Sequence, residues 1–267
     1  MDKKLRILSG IQPSGILHLG NYFGAMKQFV DLQENNESFI FIANFHAMTT
    51  IKNPQELRNN TLEVATSYLA TGLDTSKVNL FKQSDVPEVC ELSWYLSTLT
   101  PMGLLERCHS YKDKIAKGIA PDHGLFAYPV LMAADILIYK SDLVPVGKDQ
   151  KQHVEVARDL AMKFNSVYKS VLKIPEPRIQ DETAVVPGID GQKMSKSYDN
   201  YISPFWEEKD IKKKVMQIVT DSTPVEGSKD PEKCSVFTLY KLMATKDEIE
   251  IMRNKYLSGG FGYGDAK

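Results

Sequence analysis

The sequence predicts an α/β protein built on a parallel sheet and followed by a helical region. Three observations carry this. Apolar runs of strand length alternate with stretches of helical period, and glycine and proline punctuate the junctions. After about Val186 the strand-like runs give way to segments dominated by Glu, Lys and long apolar residues. Strands alternating with helices imply βαβ units with right-handed crossovers.

Leu5–Leu8 is the first strand, ended by Gly10 and the turn-forming Gln12-Pro13-Ser14-Gly15. A helix follows from His18 to Glu34, with Phe23, Met26, Phe29, Val30 and Leu32 supplying most of one apolar side. Ser38–Ala43 is nearly continuously apolar, as a strand buried on both faces would be. Pro54 opens a helix running to about Thr71, and Gly72 closes it. Val78–Phe81 is a third strand. Helices are expected over Pro87–Leu99, Pro101–Ile115 and Phe126–Tyr139, and a strand over Leu143–Val146. Beyond the Gly-rich basic loop Pro187–Lys196, helices are expected over Glu207–Val219 and Val236–Tyr256, separated by the loop Thr220–Lys233. The tail Gly259–Lys267 reads as a turn followed by the opening of another helix, so the helical region is expected to be incomplete.

Composition narrows the function classes. The chain has 267 residues, 42% of them hydrophobic and 25% charged, which excludes disordered and collagen-like chains. No apolar run approaches the ~20 residues that cross a bilayer, and the N-terminus has no apolar signal core, so no membrane partner is expected. Three scattered cysteines suit neither a disulfide framework nor a cysteine-rich metal site, and point to a reducing cytoplasm. With a net charge of −1, any nucleic-acid partner must be held by a local patch.

Two constellations carry chemistry. Gly10–Asn21 spans a strand-to-helix turn, where free backbone N–H groups and the helix dipole favour anions. Gly15 and Gly20 would let a phosphate or adenine approach the backbone closely. The segment is neither a Gly-x-Gly-x-x-Gly fingerprint nor a P-loop, and by itself it reads equally as a Pro-Gly turn. Gly191-Gln192-Lys193-Met194-Ser195-Lys196-Ser197 is a cationic loop suited to the β- and γ-phosphates of a nucleotide; by itself it reads equally as a solvated surface loop.

Together the two are more specific. His18-Leu19-Gly20-Asn21 and Lys193–Ser197 resemble the paired signature motifs of class I aminoacyl-tRNA synthetases. Gly10–Asn21, Leu131–Leu137 and Val144–His153 further resemble the tryptophanyl-tRNA synthetase family, a likeness running from Ile7 to the tail. The resemblance implies a Rossmann-like catalytic domain over residues 1–197, with a helical dimer-interface insertion at about 87–140. It also implies a helical tRNA-binding domain over residues 198–267, incomplete here. The activity implied is ATP-dependent formation of tryptophanyl-adenylate, then esterification of the terminal adenosine of tRNA(Trp). ATP is a substrate, accompanied by Mg²⁺, and no tightly bound metal is expected. The implied partners are L-tryptophan, ATP, tRNA(Trp) and a second copy in a cytoplasmic homodimer.

Carried over by position, Gln12, Pro13, Ser14, Gly20 and Asn21 would contact ATP, with His18 at the helix start. Gly147, Lys148 and Asp149 would hold the ribose, and Val186 or its neighbour Val185 the adenine. Lys193, Met194, Ser195, Lys196 and Ser197 would close on the pyrophosphate, and Lys114, in Tyr111-Lys112-Asp113-Lys114, would reach the phosphates. The catalytic set is then Lys193, Lys196, His18 and Lys114. For tryptophan, Asp135 would accept the indole N–H, and Gly10, His46, Tyr128, Met132, Val144, Val146 and Gln150 would complete the pocket and the ammonium site. Leu8 stands where many bacterial relatives carry Phe, and Lys148 replaces a commonly acidic residue, which limits its ribose contact to the backbone.

Several residues keep a second reading. Asp135 lies in an apolar helix, and a buried carboxylate needs a partner, either a ligand N–H or a serine or backbone donor. His46 alone would be a satisfied core histidine, but the carboxyl end of a strand gives it functional weight. His153 is structural or orients Gln150. Trp94 and Trp206 read as core or interface residues. Lys209–Lys214 reads as a solvated helix face, with a tRNA contact as the alternative.

No protein nucleophile is needed: the substrate carboxylate attacks the α-phosphate, and catalysis is positioning plus charge stabilisation. Tyrosyl-tRNA synthetase is the nearest rival, but the Ala-Ala-Asp-Ile-Leu and Val-Pro-Val-Gly stretches resemble an indole pocket rather than a phenol site. A small nucleotidyltransferase would lack the second lysine loop, and intact lysines with Asp135 argue against a non-catalytic paralogue.

Overall fold

The computed structural model describes residues 4–116, 118, 122–147, 150–179 and 186–267, with backbone alone at 109, 110, 113, 114 and 179. Five parallel strands form one sheet in the order β3-β2-β1-β4-β5. They are β1 (Arg6–Ile11), β2 (Glu37–Ile42), β3 (Val78–Lys82), β4 (Leu143–Val146) and β5 (Glu176–Ile179). Adjacent central strands β1 and β2 pair from Arg6 with Glu37 to Ile11 with Ile42. In this order the chain reverses direction across the sheet between β1 and β4, and such a point opens a crevice at the strands' carboxyl ends.

By its contacts the chain divides into two compact units. One comprises Met1–Gly15 and Phe29–Asp181; the other comprises Ile16–Gln28 and Glu182–Lys267. The division therefore differs from a single boundary after residue 197, because Ile16–Gln28 joins the lysine loop and the helical segment. Its Phe23 packs in a core with Val186, Met194, Ile202, Phe237 and Tyr256. The first unit has its own core, centred on Leu8, Phe41, Ala133, Ala134, Val144 and Leu160.

The expected strands and helices form, with boundary differences that have local causes. Helix Pro54–Ala70 starts at Asn53, whose side chain accepts from the backbone of Gln55 and Glu56, and it ends before Gly72, at φ 99°. The expected helix His18–Glu34 forms as Leu19–Asn21, a wide π-turn Tyr22–Met26, and Lys27–Leu32. Pro101–Ile115 divides into Met102–Glu106 and His109–Ala116. Val236–Tyr256 likewise divides, into Ser235–Met243 and Lys246–Ser258. The second break is set by a capping box: Thr245 accepts from the backbone of Glu248, and the Glu248 carboxylate accepts from the Thr245 backbone at 2.8 Å.

Among the described residues, several elements lie beyond the expected set, including the short helix Asn44–Ala47 that carries His46. Helix Lys151–Val167 buries Val154, Ala157, Leu160 and Ala161, and it leads into β5 at the sheet edge. Pro177 is tolerated there because an edge strand has one side with no ladder partner. Among the described residues no helix is long and apolar enough to cross a membrane.

Replacing Thr245 by Ala removes the cap of helix Lys246–Ser258. It is expected to cost about 0.5–2 kcal/mol, measured as faster amide hydrogen exchange confined to that helix.

Candidate active site

In the first unit, contacts link Asp135 to three of the residues expected at tryptophan, His46, Tyr128 and Gln150. Helix His123–Ile138 starts at Asp122, whose side chain accepts from Leu125 N at 2.7 Å. The run Ala133–Leu137 in its second half is buried, including Asp135 at 2% exposure. Among the described residues the carboxylate takes its donors from neither serine nor backbone. His46 Nε2 donates to Oδ2 at 2.8 Å, and Gln83 Nε2 donates to Oδ1 at 3.0 Å and Oδ2 at 2.8 Å. Burial pushes the Asp135 carboxyl above its ordinary range, while the donors His46 and Gln83 pull against that shift.

A chain of ring contacts extends from this carboxylate. The His46 ring meets Tyr128 edge-on, with centroids 6.1 Å apart. Tyr128 Oη and His153 Nε2 are 2.9 Å apart, and His153 Nδ1 lies 3.0 Å from Gln150 Oε1. His153 thus orients both Tyr128 and Gln150. Val144 belongs to the surrounding apolar core, and Met132 and Val146 pack against it. Gly10 has a packing reason for being glycine: a Cβ there would stand 2.7 Å from the Phe41 carbonyl oxygen. The turn after β1 places Gln12 and Ser14 at the surface and Gly15 at φ 101°, a conformation that glycine adopts without strain.

In the second unit the two signature segments pack on each other. Leu19 N donates to Ile202 O at 2.9 Å, and a Cβ on Gly20 would lie 2.9 Å from the His18 ring and 3.6 Å from Met194 Cβ. Asn21 accepts from His18 N at 3.0 Å, which fixes the helix start. His18 is 7% exposed, and its Nδ1 has no hydrogen-bond partner among the described residues. Burial, and then the nearby Lys196 ammonium, lower its pKa from 6.5 to about 4. The imidazole is therefore neutral at pH 7, with one buried nitrogen left for a ligand.

The lysine loop is held by Asn200, which sequence reasoning does not single out. Its side chain accepts from Ser195 N at 2.7 Å and donates to Lys193 O at 3.1 Å and to Asp190 Oδ1 at 2.8 Å. These bonds pin the backbone on both sides of Met194. Gly188 makes room for this, since a Cβ there would stand 2.4 Å from the Asn200 amide. Lys214 is not part of a solvated face: it reaches back to the Asp199 carbonyl at 3.1 Å. Lys193 and Ser197 are exposed, Met194 and Val186 buried.

Some expected residues fall elsewhere. Lys148, Asp149 and Val185, and the side chain of Lys114, lie outside the described residues. Gly147 is exposed just after β4. Trp94 is 70% exposed and so is no core residue, whereas Trp206 packs on Tyr201 at 5.2 Å. Gln83 is the other residue missed. Its signal is positional, because it directly follows β3 as His46 follows β2, at the carboxyl end of a parallel strand. Among the described residues no group of three or more His, Cys, Asp or Glu side chains could hold a metal ion.

Known proteins resemble this chain along nearly all of its length. The family described as tRNA synthetases class I (W and Y) matches residues 1–267. The tryptophan–tRNA ligase of Fusobacterium nucleatum is 59% identical over 98% of this chain and 81% of its own length. That of Rhodopirellula baltica is 57% identical over 98% of this chain and 82% of its own. The crystal structure of Campylobacter jejuni tryptophanyl-tRNA synthetase complexed with ADP and tryptophan superposes with a TM-score of 0.92 at 53% identity, covering 98% of this chain and 82% of that one. Tyrosyl-tRNA synthetase from Archaeoglobus fulgidus, at 22% identity and a TM-score of 0.72, shares the fold.

The depressed pKa of His18 has a stability consequence. Between about pH 4 and 6.5 the unfolded chain binds a proton at His18 that the folded chain does not. The stabilisation is fully present above pH 6.5 and is lost as pH falls towards about 4. Denaturation of His18→Asn across that window is expected to show a shallower loss of stability than wild type. Imidazole NMR should find His18 still neutral at pH 5.5, midway in the same window.

Proposed function

The chain belongs to the class I tRNA synthetases of tryptophan and tyrosine, with the activity of a tryptophan–tRNA ligase, and we propose how its residues divide that reaction. The enzyme activates L-tryptophan with ATP, releasing pyrophosphate, and transfers the amino acid to the 3′ end of a tRNA.

Asp135 reads the indole, with Gly10, His46, Tyr128, Met132, Val144, Val146 and Gln150 around the amino acid. The observation that carries this is the pairing of the buried carboxylate. Oδ2 accepts two hydrogen bonds and Oδ1 accepts one, whereas an ionised carboxylate has about four acceptor sites. Among the described residues an acceptor position on Oδ1 is left for a donor, and the indole N–H of tryptophan supplies one. A phenylalanine side chain brings no donor and leaves that position unfilled.

ATP is assigned to Gln12, Pro13, Ser14, Gly20, Asn21, Gly147, Lys148, Asp149, Val186 and Lys193–Ser197. The unpartnered, neutral His18 nitrogen supports this, because it can donate to a phosphate or ribose oxygen without adding charge. The tryptophan carboxylate attacks the α-phosphorus, the bond to the bridging oxygen breaks, and pyrophosphate leaves with growing negative charge. Lys193, Lys196 and Lys114 offset that charge, and His18 orients the phosphates. Mg²⁺ bound with the nucleotide would add positive charge against the departing pyrophosphate, alongside Lys193 and Lys196.

The helical segment 198–267 is assigned to tRNA(Trp), and residues 1–197 to the chemistry. A homodimer through the 87–140 region is supported by the exposure of Trp94 (70%) and Met102 (63%). A cytoplasmic setting is supported by three cysteines that are all free.

ATP–pyrophosphate exchange with each of the twenty amino acids tests the assignment: tryptophan alone should support it, and chelating Mg²⁺ should abolish it. Preference for tyrosine would overturn the reading. Lys196→Ala is expected to lower single-turnover adenylate formation about 10²–10³-fold while leaving tryptophan binding nearly unchanged. Equal rates for mutant and wild type would remove Lys196 from the chemistry.

A further inference from the structure

We propose that Gln83 is a positioning residue, which holds Asp135 as a hydrogen-bond acceptor and thereby sets selectivity for a substrate with a ring N–H. This rests on the reading of Asp135 given above and supplies the part that reading needs: something that keeps the carboxylate ionised, oriented and open on one oxygen.

Gln83 is 1% exposed and directly follows β3. Its Oε1 accepts from two backbone N–H groups, Phe45 at 2.9 Å and His46 at 3.3 Å. Its Nε2 donates to both oxygens of Asp135. The orientation of this amide is dictated by its neighbours. A flipped amide would set its NH₂ against two N–H donors and its oxygen against a carboxylate, two buried repulsions in place of four hydrogen bonds. The donors therefore run in one direction: backbone N–H to Gln83, and Gln83 to Asp135.

His46 closes the circuit. Its backbone N–H anchors Gln83, while its Nε2 donates to the same carboxylate oxygen, Oδ2. Both donors crowd Oδ2, and the bond to Oδ1 is the longer of the Gln83 pair at 3.0 Å against 2.8 Å. Among the described residues Oδ1 has the fewer donors, and it is the oxygen assigned here to a ligand N–H. Burial favours the protonated acid, and the Gln83 and His46 donors oppose it. Removing the Gln83 donors lets the carboxyl take a proton or rotate, and in either case the fixed acceptor is lost.

A merely structural role for Gln83 would lower stability, or depress turnover of every substrate alike. A positioning role has a narrower signature. It shows in the Michaelis constant for a substrate with a ring N–H, and it spares an analogue without one. The probe is 3-benzothienyl-L-alanine, tryptophan with its ring N–H replaced by sulfur, compared with tryptophan in ATP–pyrophosphate exchange. Wild type is expected to prefer tryptophan. Gln83→Met, of similar length but with no donor, is expected to reduce that preference about 10–100-fold, through a raised KM for tryptophan. The KM for ATP and the kcat/KM for the sulfur analogue should stay near wild type.

Gln83→Asn keeps a buried amide but withdraws it by one methylene. It should reduce the preference in the same sense, and it serves if Gln83→Met does not fold. Asp135→Asn is run alongside. If wild type shows no preference, or Asp135→Asn retains it in full, the Asp135 reading has failed. If Asp135→Asn loses the preference while the folded Gln83 variants keep it, or if they lose activity equally on both amino acids, the inference about Gln83 is overturned and the residue is structural.

Discussion

A carboxylate at 2% exposure inside an apolar helix must be given donors by other parts of the chain, and much of the first unit is arranged to do so. Asp135 sits beneath the carboxyl ends of the strands, where backbone regularity stops and side chains can be aimed. His46 arrives from the turn after β2 and Gln83 from the end of β3, and the sheet order β3-β2-β1-β4-β5 makes those two strands neighbours. Strand pairing, which runs from Ser38 with Val78 to Ile42 with Lys82, thus sets the spacing of the two donors. The parallel sheet is therefore part of the specificity of the site as well as its support.

The polar network spends little of its capacity on water. Asp135, His46, Gln83 and His153 are all buried, yet each has partners in hand. In a low-dielectric interior such bonds are strong, and an unpaired member is costly. That combination suits a site that must recognise one ring nitrogen. The right ligand completes the pairing and a wrong one leaves it open.

The second unit solves a different problem. Its cationic loop has to be kept in place without neutralising the charges it carries. Asn200 holds it by accepting from Ser195 N and donating to Lys193 O and to Asp190 Oδ1. His18 stands against Gly20 and near Lys196, and burial together with that positive charge keeps it neutral. A charged imidazole there would repel the lysine. A neutral one can still offer an N–H to an anionic ligand.

The sequence by itself determined the alternation of strands and helices, the strand cores of β1 to β4, and the two signature segments, because each is written in local periodicity or in contiguous residues. The capping box at Thr245 and Glu248 was equally local, and it divides a region whose apolar spacing reads as one helix. Helix Lys151–Val167 has its period in the sequence, whereas β5 does not: Pro175 and Pro177 argue against a strand, and only an edge position beside β4 makes one possible. What the tertiary structure alone decided was partnership. That Asp135 needs donors follows from its setting, but that they are His46 and Gln83 depends on the fold bringing residues 89 and 52 positions away in the chain against one helix. That His18 titrates low depends first on its burial and then on Lys196 lying near it in the fold. Periodicity is a property of neighbours in sequence, whereas the pairing of buried polar groups is a property of neighbours in space.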